Sequence, residues 1–163
     1  HALSDEDMLL RVALRGGYVS TEVEGKARGQ ALRSVDVNGD GTHEVMVPKS
    51  VGANTTTYTV WRLADDGLEK LETESGDTWE IARGGGATAV STFGCPTVVP
   101  ERALVTVNSV EVPDGDSFAF KGSRTTYRVS DGVAHVVTDE PVYAHDRNDP
   151  QLQADPMSCE PRS

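Results

Sequence analysis

The sequence predicts an all-β domain. From Tyr18 to about position 138, short runs rich in Val and Thr alternate with Gly, Asp and Pro, and β-branched residues favour strands. Asp66-Gly67 and Asp131-Gly132 each lie between two such runs, as expected for hairpin turns. With 163 residues, the chain is long enough for one domain with a substantial core.

The first predicted element is a short helix over residues 4–16. Ser4 can cap it, acidic residues fill its first turn, and Gly16 and Gly17 would end it. Its apolar positions recur at helical spacing: Met8, Leu9, Val12 and Ala13. We expect this N-terminal helix to cover an edge or a face of the β structure.

The rest of the chain is predicted to form two related β units, over residues 30–75 and 76–138. The hairpin "WRLADDGLEKLET" aligns with "YRVSDGVAHVVT" after one deletion, which places Trp61 on Tyr127 and Gly67 on Gly132. Chance similarity between two amphipathic hairpins is the alternative explanation. The units would form two antiparallel sheets of three to four strands, propeller-blade-like or sandwich-like, and residues 139–163 an irregular tail within the same single domain.

The net charge excludes some classes of partner. At −11, the chain lacks the basic face that a nucleic-acid-binding protein needs to displace counterions from phosphates. No apolar run approaches the roughly 18 residues of a transmembrane segment. An acidic excess instead favours affinity for cations.

Two cysteines, Cys95 and Cys159, lie far apart in the sequence, and the second lies in the Pro-rich and Asp-rich tail. In an oxidising compartment they would form a disulfide that fastens this tail to the domain. Two unrelated buried thiols in a cytosolic protein are the alternative.

The stretch "DVNGDGTHEV" indicates a metal site. Oxygen-bearing residues alternate along it as Asp36, Asn38, Asp40, Thr42 through its carbonyl, and Glu44. Calcium prefers six to eight hard oxygen ligands, and the intervening glycines let the backbone wrap around an ion. An EF-hand is excluded, because Val47 stands where the bidentate glutamate belongs and a strand-like run follows. A plain acidic turn is the alternative.

The loop "DVNGDGTHEVMV", together with the hairpin "TTYTVWRLADDGLEKL", resembles the calcium loop of FG-GAP and VCBS-type repeats, the units of integrin-like propellers. The order of runs from about residue 30 to 138 is similar to small secreted proteins and lipoproteins of actinobacterial type. The resemblance implies a secreted β-protein with one structural Ca²⁺. The second unit has no DxDxDG loop, and the chain is too short for a complete propeller.

No catalytic residues and no organic cofactor site are predicted. His43, His135 and His145 lack zinc-binding spacing, and "RGGGATA" lacks the strand–helix context of a dinucleotide site. Trp61, Trp79 and Tyr127 could stack on sugars or peptides, although core packing is the alternative.

The predicted function is that of a secreted or envelope-attached, non-enzymatic calcium-binding domain. Its role would be structural or binding, as a monomer with an extracellular protein or a glycan as partner. A glycoside hydrolase with a carboxylate pair, and a protein-docking or inhibitor domain, are the alternatives.

Overall fold

The computed structural model describes residues 7–24, 32–98, 101–112 and 117–161, and it confirms the all-β prediction. The strands of these ranges are β1 (Asp7–Leu14), β2 (Gly17–Glu24), β3 (Arg33–Val35), β4 (Glu44–Val51), β5 (Thr55–Ala64), β6 (Gly67–Lys70), β7 (Glu72–Thr73), β8 (Glu80–Gly84), β9 (Ala89–Gly94), β10 (Thr97–Val98), β11 (Glu101–Arg102), β12 (Leu104–Glu111), β13 (Phe120–Ser130) and β14 (Val133–Ala144).

The described part contains one ten-stranded sheet and the two-stranded ribbons β1-β2 and β10-β11, rather than two sheets of three to four strands. The large sheet runs β3-β4-β5-β8-β9-β12-β13-β14-β7, and β6 pairs with β5. Only Leu71 separates β6 from β7, and its N–H donates to the Val60 carbonyl at 2.8 Å. Segment 67–73 therefore bonds to β5 on one side and to β14 on the other, which closes the sheet into a ring.

The main core combines residues from most strands of the large sheet, the β3–β4 loop and the C-terminal turn. Alternate residues of the strands point inward, because side chains in a strand alternate between its two faces. The members with almost no exposure include Val35, Val37, Met46, Val60, Leu71, Trp79, Ile81, Phe93 and Leu104. A second cluster, which includes Val107, Phe120 and Leu152, continues the core toward the C-terminal segment.

The predicted N-terminal helix is wrong for the residues described. Residues 7–24 form an antiparallel hairpin that pairs Leu14 with Gly17, and residues 4–6 of the prediction lie outside the described ranges. Met8, Leu10 and Val12 have the period-two spacing of one strand face, and Met8 and Val12 fit the helical spacing as well. Leu10 and Val23 are buried against Val47 and Trp61. We attribute the hairpin to this long-range burial, which outweighs local helix propensity.

The two aligned hairpins share their topology but not their packing. The turn of β13-β14 is Asp131-Gly132, as predicted, with φ of 49° and 80° as in a type I′ turn. In β5-β6, however, Ala64 pairs with Gly67, so the turn is one residue earlier than the predicted Asp66-Gly67. Trp61 packs with the N-terminal hairpin, whereas Tyr127 packs against the main core. Aligned aromatic residues thus have different environments.

The C-terminal segment is more ordered than the predicted irregular tail. Strand β14 continues to Ala144, and 3₁₀ helices follow at Pro150–Leu152 and Pro156–Cys159. Asp149 and Asp155 cap them by accepting hydrogen bonds from Gln151 and Met157 N–H groups. Among the described residues, no helix has the length and apolar character needed to cross a membrane.

Candidate metal site in the β3–β4 loop

The acidic stretch forms the loop between β3 and β4. Val35 and Glu44 form the last cross-strand pair, so the loop occupies residues 36–43 and Glu44 begins β4. The strand predicted to follow the acidic residues is therefore present. Asp36 and Glu44 lie at the base of the loop, where they are 4% and 3% exposed.

The side chains of the loop bond to its own backbone. Asp36 Oδ1 accepts a hydrogen bond from Gly39 N–H at 2.6 Å, and Asn38 Oδ1 accepts one from Asp40 N–H at 3.0 Å. Asp40 Oδ1 accepts another from Thr42 N–H at 2.6 Å. Short Asx side chains often stabilise turns in this way. Gly39 and Gly41 have φ of 79° and 82°, a backbone conformation that favours glycine.

Glu44 is the most perturbed acid of the loop. Its Oε2 accepts a hydrogen bond from Val37 N–H at 2.9 Å, which holds the carboxyl beneath the turn. Burial, together with the charges of Asp40 and Asp36, raises the pKa of Glu44 to about 7. The pKa of Asp40 is lowered, because hydrogen bonds from Thr42 and Asn38 outweigh the effect of its partial burial. The environment at the base of the loop thus disfavours the charged form of Glu44.

The structure brings all five predicted ligand residues into one hydrogen-bonded loop: Asp36, Asn38, Asp40, Thr42 and Glu44. Thr42 is exposed and contributes its N–H to Asp40. Within the described ranges, no three His, Cys, Asp or Glu side chains are grouped so that they could hold a metal ion.

The chemistry of these residues nevertheless fits calcium. The side chains offer hard carboxylate and amide oxygens, and a bound cation would favour the ionised form of Glu44, which burial disfavours. Ligation would require the carboxylates to turn toward a common centre, and the carbonyl of Thr42 would have to join them.

Arg102 is a residue of this site that the sequence analysis missed. Its guanidinium is buried, and Nη1 lies 3.4 Å from Asp36 Oδ2. Nη2 donates to the carbonyls of Ser158 and Glu160. A charged residue directly before the apolar run "ALVTV" was the available signal, since a buried arginine usually has a charged or carbonyl partner.

The disulfide between Cys95 and Cys159 is confirmed, and it lies beside the loop. Cys159 accepts a hydrogen bond from Asp36 N–H at 2.9 Å through its carbonyl. Ser158 Oγ accepts a second from Cys95 N–H at 2.7 Å. The C-terminal turn is therefore fastened to both β9 and the acidic loop.

The predicted aromatic binding residues are largely inside the protein. Trp61 and Trp79 are 6% and 2% exposed, and Tyr127 packs against Trp79 with 5.2 Å between ring centroids. Core packing explains all three residues, so they do not form a stacking surface for sugars.

A small cavity lies between the N-terminal hairpin and the outer face of β4-β5-β6. Its volume is about 170 Å³, and its lining consists of Glu22, Lys49, Thr59, Trp61, Lys70 and Thr78. One carboxylate, Glu22, belongs to this lining. A glycoside hydrolase needs two carboxylates, so the cavity gives no support to that alternative.

No protein-family model, no curated protein and no solved structure matches the chain. The resemblance to FG-GAP and VCBS-type repeats therefore depends on the residues of the loop and its following hairpin.

Proposed function

We propose that this protein is a secreted, non-enzymatic domain that binds one Ca²⁺ through the loop of Asp36, Asn38, Asp40, Thr42 and Glu44. Its role is structural or binding at the cell envelope, with a protein or a glycan as partner. The ion adds stability to the loop that joins β3 to β4. The FG-GAP-like order of the loop residues is consistent with this role.

The burial of two acids in a three-acid loop carries the proposal. Asp36 and Glu44 are at most 4% exposed, and Asp40 lies on the same turn. Arg102 offsets the charge of Asp36, whereas burial disfavours the charged form of Glu44, and a divalent cation would supply the compensation that an ionised Glu44 needs. The disulfide supports secretion, because disulfides persist mainly in oxidising compartments.

Calcium should raise the melting temperature of chelator-treated protein, and magnesium should do so much less. With a dissociation constant on the order of 10⁻⁴ M, typical of extracellular sites, 10 mM calcium stabilises the folded state by about 2.7 kcal/mol. For a chain of this size, that corresponds to roughly 5 to 10 °C. Thermal unfolding followed by circular dichroism, with and without each ion, measures the shift.

Asp40→Asn is the most informative variant for this melt, because an amide oxygen can still accept the Thr42 N–H bond while the charge is lost, and the bond from Asn38 Nδ2 that it gives up is exposed to solvent. We expect it to remove most of the calcium-induced shift with little effect in chelator. Glu140→Gln, an exposed change of the same chemistry on β14, is the control and should retain the full shift. Equal calcium shifts in the two variants would contradict the site.

A further inference from the structure

The buried guanidinium of Arg102 lies against Asp36 at the base of the acidic loop. It is 6% exposed, and the distance from Nη1 to Asp36 Oδ2 is 3.4 Å. Among the described residues, neither Nε nor Nη1 has a hydrogen-bond partner, while Nη2 is bonded to carbonyls of the C-terminal turn. Asp36 is therefore the carboxylate that compensates this buried cation.

The backbone of the loop is packed directly against the arginine stem. A Cβ added to Gly39 would lie 2.7 Å from Arg102 Cβ, closer than carbon atoms can approach without a shift. Asp36 N–H is held at the same time by the Cys159 carbonyl. Contacts to Arg102 and to the Cys159 carbonyl thus keep the loop in place in the absence of an ion.

With Arg102 included, the net charge of the site matches that of a divalent cation in magnitude and is opposite in sign. Asp36, Asp40 and Glu44 would carry three negative charges with all carboxyls ionised, and Arg102 offsets one of them. The remaining two match a divalent cation. Arg62 also acts on Asp40, but it is paired with Glu69 and is partly exposed to solvent, which screens its charge.

We infer that Arg102 is a built-in counter-ion of the loop, which holds Asp36 in the ion-free protein and shares this carboxylate with Ca²⁺ in the bound protein. Arg102 is thus a positioning residue that makes the ion-free fold stable and weakens calcium binding by electrostatic repulsion. This inference rests on the proposed function, because it assigns a regulating residue to the same site.

The test compares wild type with Arg102→Met, which keeps the length of the stem and removes the charge. In chelator, we expect the melting temperature to fall by roughly 10 °C, since breaking a buried ion pair leaves Asp36 uncompensated. In 10 mM calcium chloride, at least half of this deficit should disappear, and the calcium dissociation constant should fall about tenfold. An unchanged or weaker affinity would overturn the inference.

Arg102→Lys is the second variant and keeps the charge at this position. It should bind calcium within about threefold of wild type, which keeps the inference testable if Arg102→Met does not fold in chelator. A tenfold tighter affinity for Arg102→Lys would show that packing, and not charge, limits calcium binding, and would overturn the inference.

A double-mutant cycle separates this inference from the proposed function. In chelator, Arg102→Met should lower the melting temperature much less in an Asp36→Asn background than in wild type. Equal losses in the two backgrounds would show that Arg102 is not the counter-ion of Asp36. A wild-type protein without any calcium response would instead overturn the proposed function and the sharing of Asp36, whatever the cycle shows.

Discussion

Replacing both Cys95 and Cys159 by alanine is expected to lower the free energy of unfolding by about 4 kcal/mol, from the entropy of the chain that the bond closes. The bond links residues 64 positions apart, and both cysteines are at most 2% exposed. Alanine is the suitable replacement, because serine would place a hydroxyl in a buried site.

Urea denaturation monitored by circular dichroism measures this loss. Wild-type protein unfolded and refolded under a reductant is the matched control, and it should agree with the double alanine variant within about 1 kcal/mol. A loss below about 1 kcal/mol would mean that hydrogen bonds and apolar contacts alone hold the C-terminal turn. The acidic loop should lose order with this turn, since Asp36 N–H donates to the Cys159 carbonyl.

Trp79→Ala is expected to have an effect of similar size, about 4 kcal/mol, because it leaves a cavity in the centre of the main core. Trp79 is 2% exposed and contacts Tyr127, and its backbone N–H donates to the Leu71 carbonyl at 2.9 Å. The indole thus packs where segment 67–73 closes the ring of strands.

Trp79→Phe is the control that separates packing from hydrogen bonding. Within the described part of the chain, the indole N–H has no hydrogen-bond partner, so its removal forfeits no bond. We expect Trp79→Phe to cost about 1 kcal/mol. If urea denaturation gave the same loss for both variants, the cavity would not be the cause of the Trp79→Ala effect.

Local patterns predicted the parts of the fold that depend on neighbouring residues. Val-rich and Thr-rich runs predicted the strands, Asp131-Gly132 predicted a turn, and the apolar residues after Glu44 predicted the start of β4. Alternation, β-branching and turn chemistry all act within a few residues, so they can be recognised in the sequence.

The closure of the sheet and the nature of the N-terminal segment could not be predicted in this way. The parallel pairing of Thr73 with Ala134 joins residues far apart in the sequence, and a two-residue strand has no periodicity to detect. Residues 8–14 fit both a helix and a strand, and their choice is decided by burial of Leu10 beside Trp61. Long-range contacts of this kind override local propensity.

For the acidic loop, too, some contacts could be predicted from neighbouring residues and others depend on long-range folding. Its ligand-like side chains and glycines are adjacent in the sequence, and their mutual hydrogen bonds follow from that spacing. Arg102 and the Cys159 carbonyl reach Asp36 only through the folded sheet and the disulfide. The charge compensation of the loop therefore became visible only in three dimensions.

Calorimetric titration of chelator-treated protein with calcium chloride tests the proposed ion site most directly. We predict one site per chain with a dissociation constant on the order of 10⁻⁴ M. Glu44→Gln, which removes the charge of the most buried acid, should weaken binding by at least tenfold. Absence of saturable calcium binding up to 10 mM in the wild-type protein would contradict the site and leave residues 36–44 as an acidic turn.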